Sequence, residues 1–198
     1  MVRDGVVVDA FSYLSVLISV ILGLAITQIL QGFRGLMLAR THVRGYWPCL
    51  LWAVILLLIN VQSWWAMYGL RERTMAHWTF AGFAVVILQT ILTYLLAGLV
   101  LPDFDRGKTL DLREHYYANH RWFFTLLVLF IATSIMKDIV LNGSLPAPMN
   151  LGFQLTFAVV SGICAWSSRE WLHKLQAPLA AMGVVAYIVL LFEQLNWT

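Results

Sequence analysis

The chain has 198 residues, 61% of them hydrophobic and only 12% charged. Soluble domains are about half apolar and a quarter charged, so this composition excludes a soluble globular domain and a disordered segment. A net charge of +3, carried by scattered loop arginines, excludes a nucleic-acid binder. What remains is an all-α, polytopic membrane protein.

About 20 apolar residues cross the hydrocarbon core, and a charge at the centre of such a run is costly. The charge-free gaps predict a single membrane domain over 1–198, a bundle of six transmembrane helices joined by short loops, with spans near 10–33, 46–70, 78–101, 122–142, 150–168 and 177–197. Span one follows Arg3, Asp4 and Asp9, the reverse of the charge order of a secretory signal, so it is expected to be retained. Ser15, Ser19, Gly23 and Thr27 recur on it at steps of four, followed by Gln31, which predicts a helix-packing face and a central position.

Span two opens at Pro48 and carries Asn60 and Gln62 toward its end. Span three closes at Pro102 and places Gln89 near its middle, with Thr90, Thr93 and Tyr94 on the same face. The longest connection runs from Pro102 to Arg121; Asp111 and Glu114 have capping-box spacing, and Leu112, Tyr116, Tyr117 and His120 predict a short helix leading into span four. Span four carries Thr133, Ser134, Lys137 and Asp138 on one face. The turn formers from Asn142 to Asn150 separate it from span five, which holds Gln154 and the small residues Ala158, Ser161, Gly162 and Ala165. Span six is expected to open at Pro178, to carry Ala177, Ala180, Ala181 and Gly183, and to end with Glu193 and Gln194. No span then contains an internal proline, which argues against a transporter built on broken helices. Span one ends Ile29, Leu30, Gln31, Gly32 and span four ends Val140, Leu141, Asn142, Gly143, a weak sign of a 3+3 inverted repeat.

Nine Lys and Arg follow the odd-numbered spans and four lie on the other side, which predicts both termini outside and the basic loops in the cytoplasm of a plasma or inner membrane. Trp47, Trp64, Trp65, Trp78, Trp122, Trp171 and Trp197 fall near span ends, where indole rings anchor at the interface. Cys49 and Cys164 lie in apolar runs without a metal or disulfide pattern and read as small buried residues.

Lys137, Asp138 and Glu193 are the only charges inside the spans, and an intramembrane ionisable group is a functional-site candidate by default. With Asn60, Gln89 and Gln154 as neutral partners, they outline a polar cluster in the outer half of the bundle that binds or conducts a small polar solute or ion. Lys137 and Glu193 are a candidate ion pair. All three charges also lie close enough to helix ends to reach the headgroups.

The competing reading is a non-transporting subunit or scaffold whose small-residue faces pack against partner membrane proteins or further copies of the chain. A third is a lipid or headgroup enzyme using Asp103, Asp105, His115 and His120. No metal site is expected, because His115 and His120 are five residues apart and do not share a helix face. The run Asp103 to Thr109 resembles the aspartate motif of the haloacid dehalogenases over seven residues, but the chain has no room for that family's soluble α/β domain, and the match is assigned to chance. Membrane metalloprotease, potassium-filter and aquaporin motifs are absent from the sequence. His42, His77, His115, His120 and His173 are all expected in loops or at the interface, so neither haem nor another cofactor is expected, and the partners are the bilayer and membrane proteins.

Overall fold

The computed structural model describes the backbone of residues 10–73, 79–104 and 109–194 and the side chains of 15–66, 79–104 and 109–189. Glu193, Trp78, Trp197, His77, Asp105 and the termini are thus expected features whose side chains lie outside the described residues. Six helices form: α1 (Ala10–Leu38), α2 (Trp47–Arg73), α3 (Phe80–Val100), α4 (Leu112–Asn142), α5 (Pro148–Trp166) and α6 (Glu170–Gln194). Each contains a stretch long and apolar enough to cross a membrane, which makes the chain compatible with a multi-pass membrane protein.

Two two-residue strands, β1 (Val43–Arg44) and β2 (Leu110–Asp111), pair in parallel and clip the α1–α2 and α3–α4 loops together. They mark the end of the bundle that carries the basic loops. The α6 N-terminus lies at the same end, because Glu170 receives Arg113 and Lys174 at 2.9 Å each. These pairs are exposed and act mainly as register marks.

The helices pack in the cyclic order α1, α3, α4, α5, α6, α2, with α2 also reaching across to α3 and α4. The central helix is therefore α2 rather than α1. Trp52, Ala53, Ile55, Leu56 and Asn60 of α2 are all buried. On α1 the packed face is Ile18, Leu22, Ala25 and Ile29. The expected packing stripe lies beside it: Ser15 and Ser19 are half-buried, while Gly23 and Thr27 are exposed, with Thr27 Oγ1 donating back to Gly23 O at 2.8 Å. The small residues of α5 and α6 do face the bundle, with Ser161, Ala165, Ala177 and Ala180 buried. Gln176 Nε2 donates to Ser161 Oγ across that contact at 2.8 Å. The two halves differ in packing order, since α1 runs along α3 whereas α4 runs along α5.

Two helices start earlier than the apolar runs do. α4 is one unbroken helix from Leu112, so the expected short helix and span four are continuous. Asp111 caps it, accepting from Arg113 N at 2.8 Å and Glu114 N at 3.4 Å. At 31 residues it is roughly 45 Å long, more than a hydrocarbon core's thickness, which requires tilt or protrusion. α6 begins at Glu170, so Pro178 lies inside the helix and does not open it. The acidic residue at the first turn favours this early start by complementing the helix dipole. Its C-terminal counterpart in α4 ends on Gly143, whose φ of 66° closes the helix in the left-handed conformation.

Close approach is required of Gly32. A Cβ there would meet Leu101 Cδ1 at 2.7 Å and Leu101 Cβ at 2.8 Å, and the latter is held by the backbone. Gly32→Ala should therefore lose about 1–2 kcal/mol of stability despite the better helix propensity. Gly23→Ala, with nothing within 4 Å, should be neutral or stabilising. Thermal denaturation of the detergent-solubilised chain reads both, and equal shifts would contradict this packing of α1.

Candidate functional site

A cavity of about 260 Å³ lies inside the bundle, with residues of all six helices in its wall. Its polarity follows a gradient that three helices share. On α2 the lining runs from Trp52, Ile55 and Ile59 to Gln62 and Ser63; on α4 from Leu127, Phe130 and Ile131 to Ser134 and Lys137. α5 runs the other way and begins polar, with Asn150 and Gln154 before Phe157. On these three helices the apolar residues lie toward the basic-loop end and the polar ones toward the opposite end, whereas α3 runs from Val86 at the outer side to Gln89, Thr90 and Thr93 nearer the floor. Along α4 the distance from Leu127 to Lys137 is roughly 15 Å at the helical rise.

The cavity gathers Lys137, Gln89 and Gln154 from the residues picked out by sequence. Ser134 and Lys137 face it together because they are three apart on α4. Thr133, expected on the same face, is buried and turned to its own helix, donating to Leu129 O at 2.8 Å. Asp138 is half-buried and outside the lining, although its charge acts on Lys137 and Tyr187. Asn60 is fully buried but also outside the lining; its Nδ2 donates to Leu56 O at 2.8 Å. The Glu193 side chain lies outside the described residues, so the candidate Lys137 pair is not described. Asn150, which reads as a turn former, and the aromatic wall of Trp52, Phe130, Phe153, Phe157 and Tyr187 join the lining.

Several wall groups have spare hydrogen-bonding capacity. Gln154 donates from Nε2 to Asn150 Oδ1 at 3.3 Å, while its Oε1 and Trp52 Nε1 are buried without a partner among the described residues. Thr90 and Thr93 spend their hydroxyl protons on Ile87 O and Gln89 O, at 2.8 and 2.7 Å. Buried polar atoms are rarely left unpaired unless water or a ligand completes them. Lys137 makes no ion pair among the described residues and is the only charged side chain in the described lining.

Below the floor sits an aromatic plug. Trp52 meets Phe123 and Phe124 edge to face, at 5.2 and 5.8 Å between centroids. Phe124 in turn touches His173 at 5.2 Å, and Tyr116 meets His173 nearly perpendicularly at 5.4 Å. His120 and His173, expected in loops or at the interface, lie on helices near the basic-loop end and are turned into the protein. Both are buried inside α4 and α6, because these helices extend past the apolar runs and fold their first turns into the bundle.

His173 Nε2 donates to Ser167 O at 2.8 Å when its Nδ1 accepts from Tyr116 Oη at 3.0 Å. His120 Nδ1 lies 2.6 Å from Tyr117 O and its Nε2 3.4 Å from Ser168 Oγ. All four ring nitrogens have protein partners, an arrangement that holds helices together. Tyr46 completes the plug through its hydroxyl, 3.2 Å from that of Tyr117.

Of the acidic and histidine set of the third reading, Asp105 lies outside the described residues, and Asp103, close enough for its charge to act on His115, stands apart from His120. Asp103 borders a cleft between α1 and α3, whereas His115 Nε2 is 3.1 Å from Leu99 O and His120 is in the plug. Among the described residues no three His, Cys, Asp or Glu side chains form a metal-holding group. Cys49 and Cys164 are free and buried, and Cys49 Sγ donates to Val100 O at 3.1 Å. In comparisons with protein-family models, curated proteins and solved structures, nothing matches the chain.

Proposed function

We propose that this chain is a multi-pass membrane protein that binds, or passes, a small polar solute or ion through the cavity between its six helices. In this reading the basic loops face the cytoplasm, both termini face outward, and the polar part of the cavity lies in the outer half of the membrane. The observation that supports it is the convergence of Gln62, Gln89, Ser134, Lys137, Asn150 and Gln154 on one space. Gln176, outside the cavity, instead donates across a helix contact to Ser161, although its Oε1 too has no partner among the described residues.

The test is access to water. Ser134→Cys should react with a small charged thiol reagent, since a cavity thiol ionises in contact with water, whereas Ala132→Cys on the exposed face of the same helix should stay inert in lipid. Equal inertness at both positions would remove the solute site. The native Cys49 and Cys164 are buried and give a low background.

A second reading, a membrane subunit that packs against a partner, is favoured by the open surface around Gly23 and Thr27 on α1. It predicts that bulk at Gly23 disturbs assembly and leaves thiol access at Ser134→Cys unchanged.

A further inference from the structure

We infer that the cavity takes an amphipathic organic anion, a carboxylate head on a chain of roughly eight carbons, with the head at Lys137 and the chain directed toward Trp52. The inference rests on the reading of the cavity as a solute site and names its ligand class. Three observations carry it: charge, polarity gradient and size.

Lys137 is the only charged side chain in the described lining and has no ion-pair partner among the described residues. The charge of Asp138 acts on Lys137 from outside the lining, so within the described cavity wall the ammonium faces no acid, and a bound anion offsets the cost of burying it. A cationic ligand would meet only amide and hydroxyl oxygens and the repulsion of Lys137. Asp138, the nearest acid described, lies outside the lining. The Gln154 amide adds to the head site. With both amides turned, Asn150 Nδ2 donates to Gln154 Oε1 and the Gln154 Nε2–H groups are left to donate to a carboxylate oxygen.

Below this head site the wall becomes apolar on α2, α4 and α5, ending at Trp52 and Leu127, and on α3 the Thr90 and Thr93 hydroxyls at that level are turned to their own helix. A compact inorganic anion would leave that lower part empty, whereas an alkyl chain fills it. The volume of about 260 Å³ corresponds to roughly nine waters at about 30 Å³ each, close to the size of an eight-carbon acid. The roughly 15 Å between the levels of Leu127 and Lys137 accommodates it extended.

The experiment uses the full chain in zwitterionic lipid nanodiscs, with empty discs subtracted, and compares saturable binding of octanoate, octylammonium and octanamide. Octanoate should bind about tenfold or more tighter than the other two, the scale of one charge-assisted contact. Lys137→Met should abolish that preference and Lys137→Arg should keep it. Should the Met variant fail to fold, the wild-type selectivity and the Arg variant still decide the matter.

Equal binding of the three probes would overturn the anion assignment and leave the cavity reading standing. No saturable binding of any probe would overturn the ligand class, and labelling of Ser134→Cys would then separately decide whether the cavity admits solutes. Discs containing phosphatidylglycerol separate the two sources of such a head. Unchanged octanoate affinity supports a free acid, whereas its displacement would assign the site to a lipid headgroup and overturn the inference.

Discussion

Replacing His173 with Phe should lower the stability of the chain by roughly 2–4 kcal/mol, although the ring, its burial and its aromatic neighbours are kept. The histidine is fully buried and bridges Tyr116 Oη to Ser167 O. Phe leaves a hydroxyl and a carbonyl without partners, each costing about 1–3 kcal/mol where water cannot replace the bond. The carbonyl belongs to the α5–α6 turn, so its cost falls toward the low end if water enters there. Tyr116→Phe strands only the imidazole nitrogen. Because the two residues share one hydrogen bond, the double variant should be less unstable than the sum of the singles by about 1 kcal/mol. Denaturation of the four proteins in detergent measures this, and additivity within error would mean that the Tyr116–His173 bond contributes nothing.

The consequence for the bundle is a lower end closed by ring contacts. Tyr46, Tyr116, Tyr117, His120 and His173 bring the start of α2, the first turns of α4 and the first turn of α6 into one set of ring contacts. The β1–β2 pair ties the loops outside this set. Toward the other end Ser134 and Lys137 of α4 and Asn150 and Gln154 of α5 border open space, with only the α5 pair bonded to each other. Ring contacts and their hydrogen bonds gather at one end and open space at the other.

The number of helices was legible because charge is expensive in hydrocarbon, so loops and spans separate on composition alone. Helix ends were not. Glu170 and Leu112 start helices in polar sequence, where capping, the helix dipole and packing against α2 outweigh hydropathy. The same effect hid His120 and His173, which look interfacial by their distance from charges yet are drawn inward by the early starts of α4 and α6. Within the site, Ser134 and Lys137 were legible from their helical spacing, and Gln89 from its depth in α3. Asn60 lies outside the lining, its Nδ2 bonded to its own helix at Leu56 O and its Oδ1 without a partner among the described residues, a placement that depth in a span does not show. The small residues of α1 show the same limit: spacing defines a face, but only packing says which face is covered.

Trp52 offers the sharpest separation between packing and polarity in the cavity floor. It is 1% exposed, sits edge to face on Phe123 and Phe124, and has an Nε1–H with no partner among the described residues. Trp52→Ala removes the floor. Large-to-small changes of this kind cost about 3–5 kcal/mol in soluble cores. In a bilayer the transfer part of that cost shrinks, because lipid tails are as apolar as the interior, and the lost dispersion contacts remain. A loss of about 3 kcal/mol is therefore expected. Trp52→Phe keeps an aromatic edge and deletes the unpaired donor, so it should stay within about 1 kcal/mol of the parent, on the stabilising side if the N–H is dry. A loss as large as that of Trp52→Ala would show that the N–H is bonded to water in the cavity and that the floor is wet. The enlarged cavity of Trp52→Ala should also shift chain-length preference toward acids longer than octanoate, a change that unfolding or loosening alone does not produce. Unaltered preference in a folded Trp52→Ala protein would place the chain of the ligand elsewhere than on this floor.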